Sequence, residues 1–282
     1  MRAAAFVAFA GSFAALLACL TACGSSGESA DPPAPEADAA PRTEPGPDGT
    51  APGTDAGTDS ADAAGDVVTS GGHYCTTLAP PPRFCDDFDD GDLTNDWTQF
   101  AVAPGALFQL DTTSSTSAPA SFRLIANATS AAAANNVLLR TTMFGVVKHA
   151  KLAFSVFLPS LTFTKGTIAI AQFYVNLDDV YTLYLRGPDD AANIPMLETF
   201  VGGVTTRHML TTLPPVGVWT RVALDLDLAG GRANVSFGAD KALVAAPISV
   251  LTGTEATMRL GAIIDGPSDA FEARFDDVTI DY

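Results

Sequence analysis

The chain has 282 residues and carries 32 acidic against 15 basic side chains, which gives a formal net charge of −17. This balance, together with the lack of a basic patch in the sequence, argues against nucleic acid as a partner. Hydrophobic residues make up 47% of the chain, enough for a folded core, but they are spread unevenly along it.

Residues 1–22 are typical of a lipoprotein signal peptide. Arg2 gives a short positive region, and an apolar, alanine-rich stretch follows it. Leu20-Thr-Ala-Cys23 then resembles a bacterial lipobox, which implies cleavage before Cys23 and lipid, palmitate included, on that cysteine. The alternatives are an ordinary signal peptide and a membrane-spanning anchor, although a span needs about 20 solidly apolar residues. We expect a lipid-anchored protein of the cell envelope, in the outer membrane if the host has one, with its domain exported.

Residues 23–72 differ sharply in composition. They are rich in Pro, Ala, Gly, Thr and Asp, lack aromatic residues, and hold ten acidic residues against one basic residue, Arg42. Such a segment cannot bury enough apolar surface to fold, so we predict a disordered, self-repelling tether. About half of the net charge therefore lies in the tether and says little about the partners of the domain.

Residues 73–282 form the predicted domain. Short alternating runs recur between Gly, Pro and Asp turn signals, and no helix is evident. This pattern predicts an all-β fold, an antiparallel β-sandwich of the jelly-roll type. The predicted strands are 84–89, 106–111, 120–126, 136–143, 150–158, 166–176, 180–186, 195–201, 205–211, 217–228, 232–237, 241–245, 256–264 and 270–281.

Cys75 and Cys85 are the cysteines that remain once the leader and Cys23 are set aside. An even pair in an exported protein favours a disulfide, and the alternative is two free thiols. A disulfide would close a short loop and stabilise the domain by roughly 2–3 kcal/mol.

The stretch Phe271–Tyr282 reads as a strand that belongs inside a sheet. Its alternation breaks, because Phe275 and the residues before it share one face while Val278 and Ile280 fall on the other. A bulge at Asp276-Asp277 would bring all the apolar residues to one side, whereas a strand buried on both faces would need no bulge.

Several motifs together resemble one superfamily. Phe84-Cys-Asp-Asp-Phe-Asp-Asp-Gly91 opens the domain, Val218-Trp-Thr-Arg-Val222 and Met258-Arg-Leu-Gly-Ala262 follow, and Phe275-Asp-Asp-Val-Thr-Ile280 comes last. In order and spacing they resemble the concanavalin A-like lectin/glucanase superfamily, the laminin-G-like jelly roll, over most of residues 84–282. The resemblance implies that the first and last strands lie side by side. Because members bind, hydrolyse or cleave glycans, the fold alone does not decide the function.

The resemblance also implies a structural Ca²⁺ between the terminal strands. Asp87 or Asp89, with Asp276 or Asp277, would bind it through side-chain and carbonyl oxygens. The alternative is that these acids are solvated or shape turns. The first stretch does not match an EF-hand, because aromatic residues would fall at ligand positions.

Catalytic patterns are weak. The Glu-x-Asp-x-x-Glu of the glucanase branch is absent, and Gln172-Phe-Tyr174 matches the Gln-x-His of the lyase branch only at the glutamine. Asp225 and Asp227 share one face of a predicted strand and would suit a carboxylate pair, but an acidic solvent face explains them more simply. No catalytic residue is assigned.

One predicted hairpin offers the best candidate binding face. With Leu177-Asp-Asp179 as its loop, Tyr174 would lie opposite Thr182 and Gln172 opposite Tyr184. Sugars suit such an aromatic and amide face, and the alternative is an ordinary solvent-facing sheet. Trp219 is added because we expect it to be exposed. The glycan-binding candidates are Gln172, Tyr174, Tyr184, Arg186 and Trp219.

The expected function is glycan binding without catalysis by a lipid-anchored surface protein. One alternative is a polysaccharide-active hydrolase or lyase with a divergent site. Another is a structural or protein-binding envelope protein.

Overall fold

Alternation of apolar and polar residues builds nearly every strand of this molecule. The computed structural model describes residues 73–130, 134–188 and 194–282, so the predicted leader, Cys23 and the tether lie outside the described residues. Over the described ranges the chain is an all-β antiparallel β-sandwich, a jelly roll of two sheets, as the sequence predicts.

Most strands lie within a few residues of the predicted bounds. A short helix, α1 (Tyr74–Thr77), precedes the strands and was not predicted. The strands of the described residues are β1 (Phe84–Asp86), β2 (Gln99–Val102), β3 (Leu107–Asp111), β4 (Ser121–Ala126), β5 (Val137–Val147), β6 (His149–Phe157), β7 (Thr167–Val175), β8 (Asp179–Arg186), β9 (Met196–Val201), β10 (Val204–Met209), β11 (Thr220–Asp227), β12 (Arg232–Phe237), β13 (Asp240–Pro247), β14 (Gly253–Asp265) and β15 (Phe271–Asp281).

The strands divide between two sheets. The eight-stranded sheet has the order β13-β12-β11-β6-β15-β4-β3, with β1 also paired to β15. The seven-stranded sheet has the order β10-β9-β8-β7-β14-β5-β2. Side chains from the inner faces of both sheets fill the core between them, among them Phe122, Phe154, Phe173 and Phe275, all fully buried.

Strand β15 lies inside the eight-stranded sheet, as predicted, between β4 and β6. Its register shifts between Asp276 and Thr279, and Asp277 has a left-handed φ of 52°. The bulge alternative is therefore the correct one, and it turns Phe275, Val278 and Ile280 all into the core. Strand β1 pairs with β15, which confirms the expected contact between the first and last strands.

Two predictions about strands were wrong. Strand β2 was missed, because all four of its residues are exposed and its sequence carries no clear alternation. The strand predicted for 217–228 begins only at Thr220, and Val218 lies outside it, 54% exposed. From Thr220 onward the predicted alternation holds.

Cys75 and Cys85 form a disulfide, as the sequence predicts. It joins α1 to β1 and so holds residues 74–82 against the domain. Over the described ranges, the structure contains no helix long and apolar enough to cross a membrane.

Candidate functional site

A row of polar side chains crosses every strand of the seven-stranded sheet on its outward face. Strand register places Gln172 of β7 between Thr182 of β8 and Arg259 of β14, and it places Arg259 opposite Arg140 of β5. The remaining pairings carry the row to both edges of the sheet. We call this set the polar row; from edge to edge it consists of Arg207, Glu198, Thr182, Gln172, Arg259, Arg140 and Gln99.

Alternation along each strand explains why the row is polar. The residues next to its members point the other way, into the core, as Phe173, Leu183, Leu197, Met258 and Leu139 show. The outward positions are therefore not needed for packing between the sheets. They are the positions at which this fold can carry a binding surface.

Gln172 is the centre of a hydrogen-bonded group. Its Nε2 donates to Thr182 Oγ1 at 3.3 Å, while its Oε1 accepts from Tyr174 Oη at 3.0 Å and from Arg259 Nη1 at 3.4 Å. The Arg259 guanidinium also lies over the Tyr174 ring, 4.6 Å from its centre. These contacts hold the amide, the ring and the guanidinium in fixed positions relative to one another.

Burial raises the pKa of the Tyr174 hydroxyl, although the positive charges of Arg259 and Arg140 oppose the shift. The hydroxyl therefore stays protonated at neutral pH and acts as a hydrogen-bond donor. A tyrosine that acts as a general base needs a pKa closer to neutral, which is the opposite of the shift at Tyr174.

Further hydrogen bonds lie toward the two ends of the row. Arg140 Nη1 donates to Gln99 Oε1 at 3.0 Å, and Arg207 Nε donates to Glu198 Oε2 at 2.7 Å. Glu198, the one carboxylate of the polar row, is thus paired with a guanidinium.

The polar row lies between two other rows of the same face. On one side, a small apolar cluster covers the sheet, and it consists of Leu138, Ala169, Tyr184, Met196 and Ile263. On the other side lie Tyr174, Phe200, Thr142 and Thr257. Phe200 is partly exposed, and the hydroxyl oxygens of the two threonines lie 3.0 Å apart. The face thus alternates apolar, hydrogen-bonding and mixed strips.

The predicted register of the β7–β8 hairpin was wrong by two residues. Gln172 lies opposite Thr182, and Tyr174 lies opposite Val180. The loop begins one residue earlier than expected, because Asn176 and Leu177 both take left-handed φ values of 55° and 70°. Asparagine tolerates this conformation well.

The structure separates the predicted glycan-binding residues. Gln172 and Tyr174 belong to the outward face and are partly exposed. Tyr184 points to the same face but is only 8% exposed within the apolar cluster. The Arg186 guanidinium donates to the carbonyls of Phe163 and Thr164, so Arg186 ties down a loop.

Trp219 belongs to the eight-stranded sheet instead. Its ring packs against Phe157 at 5.7 Å between centres, and its Nε1 donates to Ser114 Oγ. It is partly buried and lies just before β11, so the structure does not bring it together with Gln172 and Tyr174.

Sequence reasoning missed Arg140, Arg259 and Gln99. Alternation in the predicted strands 136–143 and 256–264 is the signal that could have identified the two arginines as outward-facing. The sequence does not show that Arg140 and Arg259 face each other. Strand β14 lies between β5 and β7 in the sheet, but it is far from both in the chain.

The acidic stretch after β1 forms a second cluster of potential ligands. His73 Nδ1 lies 3.9 Å from both Asp87 Oδ1 and Asp89 Oδ2. Asp89 Oδ1 accepts from the Ala120 amide, but Asp89 Oδ2 is buried and has no hydrogen-bond partner. Burial raises the pKa of the Asp89 carboxyl, against the effect of the Ala120 amide. We call His73, Asp87 and Asp89 the acidic cluster; the sequence did not point to His73.

Asp276 and Asp277 serve the bulge of β15. Asp276 Oδ2 accepts from the amides of Thr116 and Ser117 at 2.6 and 3.1 Å, and its burial, with Asp277 beside it, raises its pKa to about 8. Asp277 accepts from the Ser117 hydroxyl at 2.7 Å. Burial raises the pKa of Asp277, and the charges of Asp87 and Asp89 add to the shift. The oxygens of Asp276 are engaged by the amides of Thr116, Ser117 and Asp277.

The acids of β11 each have a local partner. Asp225 Oδ1 lies 2.6 Å from His149 Nε2, and Asp227 Oδ1 accepts from the Gly230 amide at 2.8 Å. Both are accounted for by local contacts on the outward face of the eight-stranded sheet.

No protein-family model matches the chain, and no curated protein matches it. Solved structures do match. Cellulose induced protein, Cip1, has a TM-score of 0.54 at 12% identity, over 70% of this chain and 96% of its own. An endo-β-1,4-glucuronan lyase from the fungus Trichoderma reesei has a TM-score of 0.49 at 14% identity, over 71% and 95%. Domain 4 of AbnA, a GH43 extracellular arabinanase from Geobacillus stearothermophilus in complex with arabinotriose, has a TM-score of 0.44 at 16% identity, over 69% and 92%.

The likeness to Cip1 establishes a shared fold. It agrees with the resemblance to the concanavalin A-like jelly roll, and at this level of identity it speaks for the fold alone.

Proposed function

We propose that the outward face of the seven-stranded sheet binds a glycan without catalysis. The observation that carries the proposal is the polar row, with Tyr174 beside it and apolar side chains flanking it. Sugars present hydroxyls and apolar C–H faces together, so they suit a surface that combines amides, guanidinium groups and an aromatic ring.

The fixed arrangement around Gln172 supports the proposal. Its contacts with Tyr174, Thr182 and Arg259 hold these groups in place before any ligand arrives, which lowers the entropy cost of binding. The shared fold with a protein named for its induction by cellulose is compatible with this proposal.

The absence of catalysis is also part of the proposal. Tyr174 keeps its proton at neutral pH, and Glu198 is paired with Arg207. A glycosidase needs two carboxylates in acid and nucleophile or base roles, and the polar row offers one engaged carboxylate. The alternative is a hydrolase or lyase with a divergent site, which release of oligosaccharide products would reveal.

The test is a glycan array probed with the protein, followed by titration of the best-binding oligosaccharide. Tyr174→Ala should weaken binding at least tenfold, because it removes the ring and one hydrogen bond to Gln172. A nucleobase that stacks on an aromatic side chain contributes about 1–3 kcal/mol to binding. We expect the contribution of a sugar ring packed on Tyr174 to lie in the lower part of that range.

Tyr74→Ala is the matched control. Tyr74 lines a cavity of about 380 Å³ with Lys151 and Arg221, on the outward face of the eight-stranded sheet. Its removal should leave glycan affinity unchanged. If Tyr74→Ala abolishes binding while Tyr174→Ala does not, the glycan binds the other sheet and the assignment of the face is wrong.

We further propose that the acidic cluster binds a divalent cation, with Ca²⁺ as the expected ion. The supporting observation is the buried Asp89 Oδ2, which has no hydrogen-bond partner and lies near Asp87 and His73. Carboxylate oxygens suit Ca²⁺, whereas the imidazole is more typical of Zn²⁺, so both ions belong in the test.

Melting temperatures in EGTA and in millimolar Ca²⁺ or Zn²⁺ test this proposal. At a free ion concentration of 100 times the Kd, binding would stabilise the folded state by about 2.7 kcal/mol. Asp89→Asn should remove the shift, whereas Asp92→Asn, an exposed acid of the same stretch, should retain it. Equal melting temperatures with and without either ion would contradict the proposal.

The lipid anchor on Cys23, the tether of residues 23–72 and the location in the cell envelope remain proposals that rest on the sequence. Mass spectrometry of the protein from membranes would detect the acyl chains. Cys23→Ser should remove them and release the protein from the membrane fraction.

A further inference from the structure

Two arginines face each other at the centre of the polar row. Arg140 of β5 lies directly opposite Arg259 of β14. Side chains in such positions start about 5 Å apart, and like charges there destabilise a sheet. This like-charged pair stands out, because among the described residues the hydrogen-bond partner of each guanidinium is a neutral amide, Gln99 for Arg140 and Gln172 for Arg259.

No carboxylate forms an ion pair with either arginine within the described part of the chain. Neither guanidinium has a carboxylate oxygen within 4.0 Å there, although Arg123, Arg207 and Arg274 each form such a pair. The chain as a whole carries far more acids than bases, so the lack of an acid at this position is not explained by composition.

Arg140 also has an unsatisfied donor. Its Nε is buried and has no hydrogen-bond partner. A buried donor without a partner costs roughly 1–3 kcal/mol, more for a charged group. A shift of the side chain that brought Nε to an acceptor of a ligand would remove this cost.

The space for such an acceptor lies beside the pair. A cavity of about 200 Å³ opens on the outward face, lined by Arg140, Arg259, Gln99, Asn136 and Leu138 among others. This volume is enough for one charged group with the sugar ring that bears it. Tyr174 and Gln172 adjoin Arg259 and extend the surface along the sheet.

We infer that Arg140 and Arg259 bind an anionic group of the glycan, a carboxylate of a uronic acid or a sulfate ester. The inference rests on the proposed glycan-binding function and specifies the ligand class of that site. A planar guanidinium binds either oxyanion with two hydrogen bonds. The single negative charge of the oxyanion would also reduce the repulsion between Arg140 and Arg259. Since the chain has a net charge of −17, it has no general attraction for polyanions, and recognition at this pair must be local.

The experiment compares acidic glycans with their neutral counterparts. Oligogalacturonates and hyaluronan oligosaccharides are presented with their carboxylates free and as methyl esters, and dextran sulfate is presented beside dextran. An array of neutral oligosaccharides accompanies them. We expect binding to a free acid, a loss of at least tenfold on esterification or on omission of sulfate, and weaker binding as salt is raised.

Variants locate the recognition. Arg140→Gln and Arg259→Gln should each weaken binding of the acidic probe at least tenfold, and Arg140→Lys should fall between, because lysine keeps the charge but loses the paired hydrogen bonds. Arg232→Gln, an exposed arginine of β12 in the other sheet, should bind as the wild type does. Equal melting temperatures of these variants would show that folding is unaffected.

The outcomes separate the two claims. Binding confined to neutral oligosaccharides, or retained in Arg140→Gln and Arg259→Gln, would overturn the anionic ligand and leave the glycan-binding face standing. Binding of none of the glycans would overturn the proposed function, and this inference with it. Preference for the carboxylate or the sulfate probe would identify the source of the anion.

Discussion

Single side chains decide which parts of the outward face are open to a ligand. Tyr184 and Gln172 point in the same direction, yet Tyr184 is buried by Met196 and Ile263 while Gln172 remains accessible. Strand alternation alone predicts the direction of a side chain. It does not predict which side chains of neighbouring strands will cover that side chain. The sequence therefore predicted Tyr184 and Arg186 as binding residues, although both are buried.

A buried ion pair at the edge of the eight-stranded sheet gives a residue-scale prediction. Burial alone would raise the pKa of Asp111, but hydrogen bonds from Thr113 and Arg274 outweigh it and lower the pKa to about 2. Since this lies below the ordinary value of about 3.9, the ionised form stabilises the fold. The stabilisation is present above about pH 4 and is lost as the pH falls toward 2.

Asp111→Asn should therefore lower the free energy of unfolding at pH 7 by about 1–2 kcal/mol. This loss is smaller than the pKa shift alone would give, because solvent screens part of the interaction. Urea denaturation at pH 7 and pH 3 measures the effect, and the difference from wild type should shrink at pH 3. Asp178→Asn, at an exposed loop acid, is the control and should change little at either pH. An equal loss for Asp111→Asn at both pH values would contradict the ionic account.

At the scale of elements, local patterns predicted most strands but not how they pair. The runs around Phe173 and Leu224 carry enough alternation to identify strands and their buried faces. The exposed β2 carries none, and the hairpin register depends on two left-handed residues, Asn176 and Leu177. Pairing between distant strands is set by the packing of the whole sandwich, which no local pattern contains.

The bulge of β14 is an element-scale feature that shapes the candidate site. Its register with β7 shifts between Leu260 and Ile263, and Gly261 takes a φ of 138° there. A Cβ at this position would lie 2.3 Å from the Val137 carbonyl oxygen and 2.8 Å from Leu138 Cα. The bulge keeps Arg259 in the polar row while it turns Ile263 to the same face.

Gly261→Ala should lower the free energy of unfolding by about 2–3 kcal/mol, because both the left-handed backbone and the close contact oppose a side chain. Chemical denaturation measures the loss. Gly238→Ala is the comparison: its φ is also positive, at 60°, but no atom lies within 4 Å of its added Cβ. It should cost about 1–2 kcal/mol from the backbone alone. A smaller loss for Gly261→Ala than for Gly238→Ala would show that the bulge tolerates a side chain.

At the scale of the whole molecule, the fold assembles a site from residues far apart in the chain. The polar row joins positions from Gln99 to Arg259, one from each strand of the sheet. The all-β class and the disulfide were predicted from composition and alternation, and the bulge at Asp276-Asp277 was one of two alternatives that the alternation allowed. The arginine pair did not, because it exists only once β5, β14 and β2 lie side by side.

The position of a bound glycan on the protein would decide which sheet carries the binding face. The best-binding oligosaccharide, carrying a photoreactive diazirine, would be cross-linked to the protein and the modified peptides identified by mass spectrometry. The polar row predicts cross-links in 137–147, 167–186 and 253–265. Cross-links confined to 74–82, 149–157 and 220–247, on the eight-stranded sheet, would contradict it.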